Sequence, residues 1–145
     1  MVLASSIAVR HAQPDFLLIA ALIGSLYCNI PGATWLGFAT GLIHASIASP
    51  PSGFGSLIVS RTIVCFLVGW LEERLFRDSL PVALTVVAAG SVLAESLFFI
   101  GAPQRHVMPW LHAMVFGGCY NVALTLVAYP LIRLAVIGRE RRRVM

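Results

Sequence analysis

Between Phe16 and Ser60 the chain carries not one Asp, Glu, Lys or Arg. A helix on the surface of a soluble protein turns a charged face to water, and nothing in this stretch could form one. Such a run belongs in lipid, where about 20 apolar residues cross the hydrocarbon core, and it accommodates two short spans. The rest of the chain agrees. Of 145 residues, 59% are apolar and 11% charged, the latter under half the roughly 25% of a soluble domain. Too little polar surface is left to cover a water-facing core. The fold expected is all-α, a polytopic membrane helix bundle with about five spanning helices and little mass outside the bilayer.

Turn signals divide the chain. Pro14 and Asp15 open a first span over roughly Phe16 to Tyr27, since Pro suits a first helical turn and Asp suits its positive dipole end. Asn29, Pro31 and Gly32 predict a tight turn. A second span, Ala33 to Ala48, stops at Ser49-Pro50-Pro51-Ser52-Gly53. The third covers Ser56 to Leu71 and ends at Glu72-Glu73-Arg74, with Arg77, Asp78 and Pro81 completing that loop. The fourth runs from Leu80 to Ile100. After Pro103, Arg105, His106 and Pro109 comes a long fifth span, Trp110 to Ile137, interrupted at Tyr129-Pro130. No internal repeat or soluble domain is visible, so residues 1–145 form one integral membrane domain with a short basic tail over 138–145. No basic region precedes the apolar start, and the spans themselves are expected to direct insertion.

All ten basic residues are Arg. Four of them, Arg139, Arg141, Arg142 and Arg143, crowd the tail, which the positive-inside rule assigns to the cytoplasm. Counting back five spans puts the Arg74/Arg77 loop inside, and the Pro50-Pro51 loop, Arg105 and the Arg10 end outside. The tail is also expected to meet anionic lipid, at about 1 kcal/mol per basic side chain near the leaflet, offset in part by Glu140.

Small residues recur every fourth position along the second span, at Ala33, Gly37, Gly41 and Ala45, on one face where backbones approach closely. Packing within this protein is the favoured use of that face over a partner interface. A weaker face, Ala113, Gly117 and Asn121, lies on the fifth span. Polar groups in lipid are costly and turn inward; the candidates are His44, Arg61, Glu95, His112 and Asn121. Arg61 and Glu95 fall at similar depth on consecutive antiparallel helices, which predicts an ion pair between them, with His44 near. No nucleophile–base order, HExxH or phosphate loop is present, so no enzymatic activity is expected. Cys28, Cys65 and Cys119 have no metal-ligand spacing and read as buried free thiols. His44 and His112 share a depth at which helices hold haem, but two histidines in 145 residues coincide this way by chance. No cofactor, metal or nucleic acid is expected.

Beyond that point a resemblance contributes. Pro14-Asp15-Phe16-Leu17-Leu18 opening a span, then Leu36-Gly37-Phe38-Ala39-Thr40-Gly41-Leu42-Ile43, resembles the rod shape-determining protein MreD family. Leu75-Phe76-Arg77-Asp78-Ser79 fits as well, and so do Tyr120-Asn121 and Tyr129-Pro130-Leu131-Ile132-Arg133. These pieces match in order and spacing from Pro14 to Arg133. The resemblance implies a non-catalytic subunit of the bacterial cell-elongation machinery in the inner (plasma) membrane. Its partners would be MreC, a RodA-type glycosyltransferase and a penicillin-binding transpeptidase, with MreB filaments indirectly; homo-oligomers are compatible with it. The implied fold resembles the substrate-binding subunits of energy-coupling-factor transporters, typically with six helices. Two departures stand out. Family members carry a full first helix where nine residues precede Arg10 here, and an acidic residue often closes the Gly-Phe-x-x-Gly helix where His44 stands. The alternative is a vitamin-binding transporter subunit of the same fold class. Against it, the chain lacks the interleaved aromatic and polar side chains of a ligand cavity, and Trp35, Trp70 and Trp110 sit near predicted membrane boundaries, where Trp is usual.

Overall fold

The computed structural model describes residues 15–48, 53–72, 79–102 and 107–143, with the backbone alone described at 48, 72, 109, 113, 132, 133 and 135–143. Pro14, the loop residues 49–52, 73–78 and 103–106, and the side chains of the basic tail therefore lie outside the described residues. Within them the chain is all-helical, with α1 Phe16–Ser25, α2 Ile30–Ala48, α3 Phe54–Glu72, α4 Leu80–Gly101 and α5 Val107–Arg143. Three segments, Phe54–Leu71, Leu80–Gly101 and Trp110–Leu131, are long and apolar enough to cross a bilayer. Helix α2 has 19 residues and no charge but is diluted by Thr, Ser, Gly and His.

Helix boundaries follow local chemistry. Asp15 caps α1, its Oδ1 accepting from the Leu18 N–H at 2.9 Å. At the other end Leu26 and Tyr27 turn back onto Ile23 and Gly24. The expected turn at Pro31-Gly32 is instead the first turn of α2. Asn29 Oδ1 accepts from the Gly32 N–H at 3.2 Å, and Pro31 takes a position whose N–H would go unused. Pro81 does the same in α4. Helix α5 passes through Pro130 without the expected interruption. Proline there forgoes one backbone bond, a loss that membrane helices tolerate where neighbours re-satisfy the freed group.

Helix α1 departs most from expectation. Its ten residues rise about 15 Å, half of the roughly 30 Å hydrocarbon core. Expected as a span over roughly Phe16 to Tyr27, it stops two residues earlier at Ser25 and is the hub of the bundle, packing against α2, α3, α4 and α5 alike. Leu18, Ile19, Ala21, Leu22, Ile23 and Leu26 are buried, joined by Val64, Cys65, Val87 and Tyr129. Around this hub α2 packs on α3, α3 on α4 and α4 on α5.

The small-residue face of α2 lies against α3. A Cβ at Gly37 would fall 2.7 Å from both the Arg61 carbonyl oxygen and the Cys65 Cβ; at Gly41 it would fall 3.0 Å from the Ile58 Cα. Ala33 meets Gly69 in the same seam. Side chains on the outer surface are apolar: Trp35, Ile100, Met108, Leu131 and Leu134 are each at least two-thirds exposed. In water such a surface would drive aggregation. In a bilayer it meets acyl chains, and the chain is a membrane protein.

Candidate functional site: a polar junction inside the bundle

The N-cap of α1, Asp15, packs against the other helices of the bundle. Helix α1 lifts Asp15 about 15 Å above the turn that joins α1 to α2. Eleven residues separate Arg61 from Glu72 at the end of α3, a rise of about 16 Å. The two groups arrive at one level, and all five helices contribute a side chain to the network there.

Arg61, only 3% exposed, donates through Nη2 to Asp15 Oδ2. His44, reaching in from α2, places Nδ1 2.6 Å from the same Nη2 and 3.4 Å from Asp15 Oδ2. On the backbone side, the Asp15 N–H donates to Asn121 Oδ1 at 3.1 Å. The Asn121 amide in turn donates to Ser91 Oγ at 3.1 Å, carrying the junction to α4. Asp15 thus ties the start of α1 to α2, α3 and α5. The Asp15 carboxylate caps a helix and neutralises a guanidinium while its backbone N–H anchors a carboxamide, leaving few of the residue's polar atoms unsatisfied.

The ion pair expected between Arg61 and Glu95 is not formed: among the described residues, the partners of Arg61 are Asp15 and His44. Depth alone misassigned it. Glu95 makes no ion pair with Arg61 among the described residues. Gly37 and Gly41 instead bring α2 against the backbone of α3 at Arg61 and Ile58, and the guanidinium meets groups of α1 and α2. Two buried donors, Arg61 Nε and Nη1, have no hydrogen-bond partner among the described residues.

The remaining candidates fall into place around this junction. Gly37 and Gly41 form its floor, and Asn121 is buried at its α5 side. Pro130 sits apart, exposed on α5. His44 and His112 engage different partners. His112 is exposed, with Nδ1 3.1 Å from the Met108 carbonyl of its own helix, and its ring stacks on Phe116. No group of three or more His, Cys, Asp or Glu side chains able to hold a metal occurs among the described residues. Of the three thiols, Cys65 is buried as expected, whereas Cys28 is half-buried and Cys119 exposed.

Sequence reasoning missed Ser91, an unremarkable hydroxyl in an apolar run, and the central place of Asp15, which it read only as a helix opener. The signal available for Asp15 was its place beside an uncharged run: a lone carboxylate there has to find a cation. No protein-family model, curated protein or solved structure matches the chain.

Proposed function

We propose that this protein is a non-catalytic scaffold of the bacterial cell-elongation machinery, an MreD-type subunit of the plasma membrane with a cytoplasmic C-terminus. It binds MreC and the membrane-embedded wall-synthesis enzymes, and through them serves the MreB filaments. One observation carries the reading: pieces of sequence that bear the resemblance, although far apart in the chain, meet at the polar junction. Asp15 comes from the Pro14–Leu18 piece, Gly37 and Gly41 from the Leu36–Ile43 piece, and Asn121 from the Tyr120-Asn121 piece. Their polar atoms are spent on holding helices together, the use a scaffold makes of them. The apolar outer faces of α2 to α5 remain for lipid and partner helices.

Depletion in a rod-shaped host tests this. Rounded cells, together with co-purification of MreC from mild detergent, are the expected outcome. Normal rods after complete depletion, with no second copy present, would overturn the scaffold reading. Tight, stoichiometric capture of a vitamin by the purified protein would replace it with that of a transporter binding subunit.

A further inference from the structure

One nitrogen of the His44 ring has two neighbours that ask opposite things of it. Arg61 Nη2, 2.6 Å from Nδ1, has only hydrogens to donate and needs a bare ring nitrogen. Asp15 Oδ2, 3.4 Å from the same Nδ1, is a carboxylate oxygen that accepts, and an N–H serves it. Nδ1 cannot do both. Bare, it takes the bond from Arg61 on α3; protonated, it loses that bond and turns to Asp15 at the head of α1.

Few other groups face the ring. Helix α2 carries no other charged or titratable side chain, and it packs against α1 and α3. Those two present Asp15, Arg61 and the Cys65 thiol, which lies against Gly37 two turns from His44. Glu95 of α4 makes no hydrogen bond or ion pair with His44 among the described residues. On α5, Asn121 is neutral and already engaged with Asp15 and Ser91. A proton has a way in. His44 lies four residues from Ala48 at the end of α2, about 6 Å by helical rise, and its side chain is 21% exposed.

We propose that His44 is a proton-operated switch between α3 and α1. Neutral, it accepts from Arg61 and ties α2 to α3. Charged, it releases Arg61, donates to the Asp15 carboxylate, and stands as a second cation beside the guanidinium. The ligand is a single proton bound at Nδ1, with no other covalent bond made or broken. Its effect falls on the end of the α2–α3 seam. Gly41, one turn before His44, is pressed against Ile58, so repulsion between two cations sharing one carboxylate loosens the seam beyond that contact. The switch is independent of which proteins the outer faces bind.

Solid-state NMR of the whole protein in lipid bilayers reads both positions, between about pH 8 and about pH 5, where histidine ordinarily changes charge. Nitrogen-15 labelling shows each ring nitrogen as bare or protonated, and the signals lost in His44→Gln assign His44 among the four histidines. At the alkaline end the expected result is a bare Nδ1 in contact with the Arg61 guanidinium. At the acid end Nδ1 carries a proton and its contact has moved to the carboxyl carbon of Asp15. The Asp15 carboxyl signal should shift over the same pH range and stay fixed in His44→Gln, whose amide oxygen still accepts from Arg61. Contacts to Arg61 and Asp15 in the unaltered protein identify His44 by themselves and keep the test open if the variant fails to fold. A proton on Nδ1 at pH 8, a His44 still neutral at pH 5, an Arg61 contact that survives charging, or an Asp15 signal that still shifts in folded His44→Gln would each overturn the proposal.

Discussion

Arg61 is 97% buried at a depth where an isolated charge costs about 2.5–3.5 kcal/mol on insertion scales. Asp15 offsets that cost, and the pairing has a sharp consequence. Arg61→Leu strands the Asp15 carboxylate without its guanidinium, and breaking a buried pair from one side costs about 3–5 kcal/mol. Asp15→Asn combined with Arg61→Leu removes both charges while the asparagine keeps the N-cap of α1. The double variant should therefore be the more stable of the two. Thermal unfolding in detergent checks this, and a double variant melting below Arg61→Leu would refute the pairing. Asn121→Leu should destabilise by about 1–3 kcal/mol, because it leaves the buried Asp15 N–H without its acceptor. At this scale the sequence named His44, Arg61 and Asn121, since charge and amide groups within apolar runs are conspicuous, whereas Asp15 stood at the edge of its run and was read as a helix opener. Which carboxylate takes Arg61 was not legible. That depends on the length of α1 and on the rotation of α3, and neither is written in the residues at 61 or 95.

Helix positions could be read from the apolar runs, and the seam between α2 and α3 from the four-residue spacing of Ala33, Gly37, Gly41 and Ala45. The misread elements were those whose punctuation has two uses. Pro31-Gly32 can end a turn or begin a helix, and Asn29 decides for the helix by capping it. Pro130 can break a helix or ride within one, and in α5 it rides. The seam itself gives a prediction. Gly37→Ala puts a methyl group 2.7 Å from the Arg61 carbonyl oxygen, a backbone atom that cannot yield unless α2 and α3 separate. Overpacking of this kind costs about 1–3 kcal/mol. Gly117→Ala on α5 meets nothing within 4 Å and should be neutral or slightly stabilising, since alanine favours helix by up to about 1 kcal/mol over glycine. A thiol-reactive dye reports the comparison. Cys65 is fully buried, so with Cys28 and Cys119 replaced by serine, labelling follows unfolding. Equal midpoints for the two alanine variants would show that α2 and α3 are not in tight contact at Gly37.

For the whole molecule, the membrane location rests on Phe54–Leu71, Leu80–Gly101 and Trp110–Leu131, each long and apolar enough to cross. Its orientation rests on where arginine lies. Arg74 and Arg77 flank the end of α3, and Arg139, Arg141, Arg142 and Arg143 close the chain. The spans Leu80–Gly101 and Trp110–Leu131 lie between these two groups. Two crossings return the chain to the same side, so both groups share a face, while Arg105 alone lies between α4 and α5 on the other. With Arg133, just past the Leu131 end of the last span, seven arginines against one is a strong bias by the positive-inside rule, and it predicts a cytoplasmic C-terminus. The short α1 does not disturb this assignment, because the count runs from α3 to the tail and never passes through it. A phosphatase that works only after export should be silent when fused after Met145 and active when inserted between α4 and α5. A fluorescent protein that matures only in the cytoplasm should give the opposite pattern. Replacing Arg139, Arg141, Arg142 and Arg143 with glutamine leaves Arg74, Arg77 and Arg133 against Arg105, so the bias should weaken and a minor population of the inverted orientation should appear. An exported C-terminus in the unaltered protein would overturn both the orientation and the cytoplasmic placement of the basic tail.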